Sequence, residues 1–162
     1  MSVNRYLPHV LLLPEDDANR KIAQGFILEL SLPYSRNIQV LVEVGGWMEV
    51  LDHFQRVYQR DMDQFPKTFL ILLVDFDGDK NRLNYLRTKI PDRLRDRTFV
   101  LGTLSEPEEL KKEPRRSYET IGQGLAKDCR DGTDEIWSHP LLKHNAPEVF
   151  RLREHLRPIL FS

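Results

Sequence analysis

Cysteine is almost absent from this chain. Cys129 stands alone among 162 residues, so no intrachain disulfide can form and no cysteine set can hold zinc. That usage fits a reducing compartment. Charge of one sign is missing too. The 24 Lys and Arg nearly balance 25 Asp and Glu, and a net charge of −1 does not announce a nucleic-acid partner, although it leaves a local basic surface open. The apolar runs are strand-sized, well short of the ~20 residues that span a bilayer. Met1–Tyr6 lacks the apolar stretch of a signal peptide. The expectation is a cytoplasmic protein with no membrane association. There is no internal repeat, no low-complexity tract, no GxxxxGK[ST] phosphate loop and, with five scattered histidines, no zinc-ligand spacing.

What is present is a chain of single-domain length, 40% hydrophobic and 30% charged. Val10–Leu13 reads as a strand buried on both faces. Asp17–Leu32 has helical spacing, with Ile22, Phe26, Ile27 and Leu30 on one face and Pro33 as the stop. Ile38–Val44 is a second strand. Gly45-Gly46 and a helical pattern through Trp47, Val50, Leu51, Phe54 and Tyr58 come after it. Thr68–Val74 is a third strand, Leu83, Leu86 and Ile90 mark a helix closed by Pro91, and Arg97–Leu101 is a fourth strand. Helices are expected near Glu106–Lys112, Ser117–Asp128 and Pro147–Leu156, with Cys129–Asn145 as an irregular connection. This alternation predicts a three-layer α/β/α domain around a mainly parallel four-stranded sheet of Rossmann-like type. Residues 1–104 would form the α/β core, and residues 105–162 a helical extension packed on the same domain.

Two apolar runs end in acids. One is Val10-Leu11-Leu12-Leu13-Pro14-Glu15-Asp16-Asp17, and the other is Leu70-Ile71-Leu72-Leu73-Val74-Asp75-Phe76-Asp77-Gly78-Asp79. Ligands of open α/β sheets bind beyond the carboxyl ends of the strands. Both clusters belong at that edge, and neighbouring strands ~4.8 Å apart would bring them together. Two carboxylates ~4 Å apart repel by about 4 kcal/mol at an effective dielectric near 20. Either some take up protons or a cation neutralises them, and Mg²⁺ suits a few carboxylates plus water. Acids at 75, 77 and 79 resemble a loop around a metal, with Gly78 permitting the turn.

Glu15 after the first strand, Gly45-Gly46 after the second and Asp75-Phe76-Asp77 after the third resemble the Toprim domain shared by topoisomerases, bacterial primases and small nucleases. The likeness is greatest to the overcoming-lysogenization-defect nucleases, whose glutamate is followed by acids two and four positions on. Asp17 matches the first of these, while Asn19 stands at the second. Val42-Glu43-Val44-Gly45-Gly46 before a helix also fits that group. Asp16 replaces the glycine that many Toprim domains carry after the glutamate. The resemblance covers roughly Val10–Leu101. It implies Mg²⁺- or Mn²⁺-dependent phosphodiester hydrolysis. Glu15, Asp75 and Asp77 would be catalytic and metal-binding, and Asp17 and Asp79 further ligands. It implies nucleic acid as substrate, DNA ahead of RNA, and a separate ATPase in place of the one fused to larger relatives. It leaves the oligomeric state open, a homodimer included.

Each feature has a plainer reading. Acids at 15–17 suit the first turn of a helix, and the loop 75–79 could be a polar turn. Lys80, Arg82, Arg87 and Lys89 begin a basic stretch beside the acidic loop. They would grip a nucleic-acid backbone or simply face solvent. Arg115-Arg116 is a second basic pair, and Trp47 and Trp137 read as packing residues. Three rival functions stay open. A receiver-like domain would accept a phosphoryl group on Asp75, with Asp16 and Asp17 holding Mg²⁺ and Thr103 and Lys143 in supporting roles. A haloacid-dehalogenase-like phosphatase would begin at Val74-Asp75-Phe76-Asp77-Gly78, although here two βα units precede that segment. A non-catalytic Toprim-like module would only bind a partner.

Overall fold

In the computed structural model, which describes residues 2–104 and 117–161, the apolar runs become a four-stranded sheet. Its strands are β1 (His9–Pro14), β2 (Ile38–Val40), β3 (Thr68–Leu73) and β4 (Thr98–Leu101). All pairs are parallel and the order is β2-β1-β3-β4. β1 and β3 pair in register from His9↔Thr68 to Pro14↔Leu73, so the residues just beyond them emerge side by side. The second strand is shorter than Ile38–Val44. Past Val40 the chain keeps contact with β1 only through single bonds, such as those from Leu41 N to Leu12 O (2.8 Å) and from Gly45 N to Glu15 O (2.8 Å).

Alternate residues of the strands feed two cores. Val10, Leu12, Ile71, Phe99 and Leu101 pack under α1 (Asp17–Leu28), α5 (Tyr118–Asp131) and α6 (Ala146–Leu160). Leu11, Leu13, Leu70, Leu72 and Val100 pack under α2 (Trp47–His53), α3 (Gln59–Gln64) and α4 (Lys80–Thr88). The fold is therefore a three-layer α/β/α arrangement of Rossmann-like type. A π-helical turn at Phe54–Tyr58 joins α2 to α3, so the apolar stripe from Trp47 to Tyr58 lies along one helical rod. Helix α1 ends at Leu28, four residues before the expected end at Leu32. It crosses α5 closely because Gly25 and Gly122 carry no Cβ, which would overlap the backbones of Glu119 and Ile22 respectively.

Among the described residues, no fifth strand covers β4. Side chains do so instead. Asn145 donates from Nδ2 to Gly102 O (2.8 Å) and accepts from Gly102 N (3.2 Å), and Glu148 accepts from Val100 N (3.1 Å). These otherwise unpaired groups of an edge strand are thereby satisfied. The irregular segment after α5 is organised by Asp128, which is buried. It accepts from Thr133 Oγ1 (2.6 Å) and from the amides of Glu135, Ile136 and Trp137 (3.1, 2.7 and 3.2 Å). The helix expected near Glu106–Lys112 and the pair Arg115-Arg116 lie outside the described residues. Among the described residues, no helix is long and apolar enough to cross a membrane.

Candidate functional site

Because β1 and β3 are neighbours, the two acidic clusters meet at the carboxyl edge of the sheet. The Glu15 amide bonds Leu73 O (2.8 Å), and Glu15 Oε2 accepts from the Asp75 amide at 2.5 Å. The glutamate thus clasps the end of β3. Its carboxylate also faces the amide of Trp47 at the start of α2, a position created by the turn at Gly45, whose φ of +95° disfavours a side chain. Burial raises the Glu15 carboxyl above its ordinary range, and the Asp16 charge adds to this. The Asp75 amide, nearby Arg82 and the Trp47 amide pull the other way.

Asp75 is the most perturbed acid of the site. Burial pushes its carboxyl up to about 7, and the charges of Asp16 and Glu15 act in the same direction. Hydrogen bonds from Asn19 and Thr103 oppose the rise without cancelling it. Asn19 Nδ2 lies 3.0 Å from Asp16 Oδ1 and 3.1 Å from Asp75 Oδ1, so one amide bridges the two clusters. Thr103, just past β4, donates from Oγ1 to Asp75 Oδ1 at 3.3 Å. Asp16 is the N-cap of α1, accepting from the Asn19 amide at 2.9 Å. Among the described residues, Glu15, Asp16 and Asp75 take part in no ion pair, whereas Asp17, Asp52, Asp63 and Glu148 each do.

The remaining acids of the two runs stand apart from this centre. Asp17 is exposed on the first turn of α1. It pairs with Lys21 (3.0 Å) and Arg20, whose hydrogen bonds hold its carboxyl below the usual range. Asp77 is exposed, with φ at +51°, and Gly78 comes next at +72°. The loop therefore turns away at these two residues, and Asp79 caps α4 by accepting from the Asn81 amide (2.9 Å). Helix capping accounts for Asp16, Asp17 and Asp79 as local structure. It does not account for Glu15, whose carboxylate accepts from the Asp75 amide, or for Asp75, whose carboxylate accepts from Asn19 and Thr103.

The basic stretch divides in the same way. Arg82 Nη1 donates to Asp75 O at 2.7 Å while its guanidinium lies 4.8 Å from the Trp47 ring centroid, so this arginine buttresses the site. Trp47 also meets Tyr85 edge-on at 5.9 Å. Lys89 lies over Tyr85 (5.2 Å), and Arg87 turns toward Glu148 (3.6 Å). The side chain of Lys80 lies outside the described residues. Lys143 lines a separate cavity with Trp137, Phe150 and Arg153. Asn19 joins the site from the position where the nuclease pattern carries a second acid, Thr103 joins it as the receiver-like reading would place it, and the Trp47 amide joins it with no sequence motif to mark it. The signals in the sequence are that Asn19 sits one helical turn beyond Glu15, and that Thr103 lies just past a strand at the same edge.

Chemically, the centre offers hard oxygen donors with no ion-pair partner among the described residues. Among the described residues, no group of three or more Asp, Glu, His or Cys side chains is placed to hold a metal ion. Mg²⁺ does not require one, because it binds through one or two carboxylates and keeps several waters. Glu15 and Asp75 are the two carboxylates that could serve such an ion. No family of proteins, no curated protein and no solved structure matches the chain.

Proposed function

We propose that this chain is a Toprim-like, divalent-cation-dependent hydrolase of phosphodiester bonds in nucleic acid, with Glu15 and Asp75 at its centre. The observation that carries the reading is the clasp between Glu15 Oε2 and the Asp75 amide, which holds two carboxylates at one sheet edge with no ion-pair partner among the described residues. Glu15 and Asp75 would hold Mg²⁺ or Mn²⁺, with Asp77 reaching in from the exposed loop and Asp17 and Asp79 left to their helix ends. The bound ion would polarise the phosphoryl group and acidify a water. Asn19 and Thr103 fix the Asp75 carboxylate, and Arg82 fixes the loop that carries it. The carboxyl of Glu15, raised by burial, would suit it to proton transfer. Nucleic acid would approach over α4, where Lys89 is exposed. The likeness to nucleases that carry a fused ATPase extends the proposal to an ATPase acting in trans.

The test is cleavage of plasmid DNA and of RNA by the purified chain with Mg²⁺ or Mn²⁺, against Glu15→Gln and Asp75→Asn. Metal-dependent cutting that both variants lose is expected. Cutting that survives both would place the chemistry elsewhere. A second reading rests on Thr103, whose hydroxyl meets Asp75 as a phosphoacceptor site would need. Acetyl phosphate would then label Asp75, and Asp75→Asn would abolish the label without any nuclease activity in the wild type.

A further inference from the structure

Far from the acidic edge, three segments each turn an arginine into one cavity of about 330 Å³ beside the amino end of β4. Arg87 comes from the last turn of α4, Arg95 from the 3₁₀ turn Asp92–Arg97, and Arg151 from α6. Arg87 is five residues past Arg82, about 7–8 Å further down the helix from the Asp75 loop. This cavity is therefore distinct from the acidic centre, and its ligand does not depend on that centre being a hydrolase.

Arg151 is fixed on three sides. It donates to Glu148 Oε1 at 2.7 Å and to the Arg95 carbonyl, and its guanidinium lies 4.8 Å from the Phe99 ring centroid. Glu148, only 7% exposed, spends its second oxygen on the Val100 amide at the sheet edge. It therefore has little left for Arg87, whose Nη2 lies 3.6 Å away, beyond a hydrogen bond, and whose buried Nε has no partner among the described residues. Arg95 keeps an exposed pairing with Asp92 (3.1 Å), and Asp96 stands exposed at the rim. Of the three carboxylates near these guanidinium groups, Glu148 is committed to Arg151 and the sheet edge, Asp92 to Arg95 and Asp96 lies exposed at the rim, and the Nε of Arg87 has no partner among the described residues.

We propose that this cavity binds a phosphate monoester, with Arg87 and Arg95 gripping the phosphate and Arg151 as a preset third cation. A guanidinium presents paired donors that match phosphate oxygens, which suits it to this task better than lysine. The volume lies at the lower end of small-molecule sites and exceeds what bare phosphate fills. The monoester can come from a free mononucleotide or from the phosphorylated end of a strand, and both present the same dianion.

Calorimetric titration of the full chain in metal-free buffer, with inorganic phosphate, AMP, and short oligonucleotides with and without a 5′-phosphate, tests this. Saturable binding of AMP, weaker binding of phosphate and no change in Asp75→Asn are expected. Preference for AMP over the phosphorylated oligonucleotide marks a nucleotide site, and the reverse preference marks a strand-end site. Arg95→Ala, at an exposed position, and Arg87→Ala should each weaken binding at least tenfold. Glu148→Gln, which still accepts from Val100 N, should strengthen it severalfold by removing the internal competitor. Absence of saturable binding, indifference to all three variants, or loss of binding in Asp75→Asn would overturn the proposal.

Discussion

At the amino end of β1, His9 is fully buried. Its Nδ1 meets Leu7 O at 2.7 Å and its Nε2 meets Thr68 Oγ1 at 3.0 Å. A carbonyl can only accept, so Nδ1 carries the proton and Nε2 receives the threonine hydroxyl. The same end holds Arg97, donating to Met62 O and Thr68 O (3.2 and 3.0 Å), and Arg93 paired with Asp63 through two bonds of 3.0 and 2.9 Å. Six residues along β1 the arrangement inverts. Glu15 and Asp75 are packed together with Asp16 nearby, held by amides and a hydroxyl, and opposed by no cation in an ion pair among the described residues. The polar groups named at the amino ends of β1 and β3 are thus satisfied, whereas like charges face one another beyond the carboxyl ends of the same two strands. The first condition is what stability selects. The second costs stability, and such clusters of perturbed groups are the ones that functional sites collect.

If the ends differ in this way, substitutions at the two should separate activity from stability. Asp75→Asn keeps the shape of the centre and removes its charge. Cleavage should fall by about 10²–10⁴, while the melting temperature holds or rises as the repulsion with Glu15 and Asp16 disappears. Thr103→Val, which deletes a supporting hydrogen bond, should cost about 10–100-fold in metal affinity or activity. Cation-induced thermal shifts and cleavage rates measure both. A collapse of the Asp75→Asn fold would mean that the carboxylate is structural and the contrast is false. At the other end, Thr68→Val leaves His9 Nε2 buried without its donor. That should lower unfolding free energy by about 1–3 kcal/mol in urea melts, with cleavage per folded molecule unchanged.

Titration sharpens the contrast because the two groups shift in opposite senses. Asp75 ordinarily ionises near 3.8 and is pushed up to about 7. Its protonated form therefore favours the fold at low pH, and that contribution is lost as pH rises from about 4 through 7. His9 is lowered from 6.5, chiefly by burial, so it favours the fold when neutral and loses that contribution as pH falls below 6.5. In metal-free wild type the two slopes oppose each other across the acid range. Asp75→Asn should remove one opposing slope and leave those of His9 and Glu15, so that stability falls less, or rises more, between about pH 4 and 7 than in wild type. Saturating Mg²⁺ should do the same in wild type. Identical pH profiles for wild type and variant would show that Asp75 is not the perturbed group.

The apolar runs and their acidic ends were enough to place Glu15 and Asp75 at one edge, because a parallel sheet delivers the residues after each strand to the same side. Their adjacency was not legible. It depends on β3 pairing with β1 in the order β2-β1-β3-β4, and no local pattern encodes which strand is the neighbour. Nor was the sealing of β4 by Asn145 and Glu148 legible, since two polar residues at a helix start look like ordinary capping. Arg82 shows the same limit. Charge patterning put it on a basic helix face, and only the packing of α4 against Trp47 turns it toward the Asp75 carbonyl.

The smallest effects fall in the loop that leads out of the acidic end. Asp79 caps α4, so Asp79→Ala should cost about 1 kcal/mol of stability and little activity. Asp77 is exposed in a left-handed conformation, and Asp77→Asn keeps a side chain that tolerates it. Stability should then stay within about 0.5 kcal/mol of wild type. If the carboxyl end is the metal site, Asp77 can reach an ion only from the solvent side, so cleavage should fall less than tenfold, against about 10²–10⁴ for Asp75→Asn. Equal losses at the two positions would mean that the loop folds inward when metal binds. The boundary between the strained centre and the relaxed loop would then lie beyond Asp77 rather than directly after Asp75.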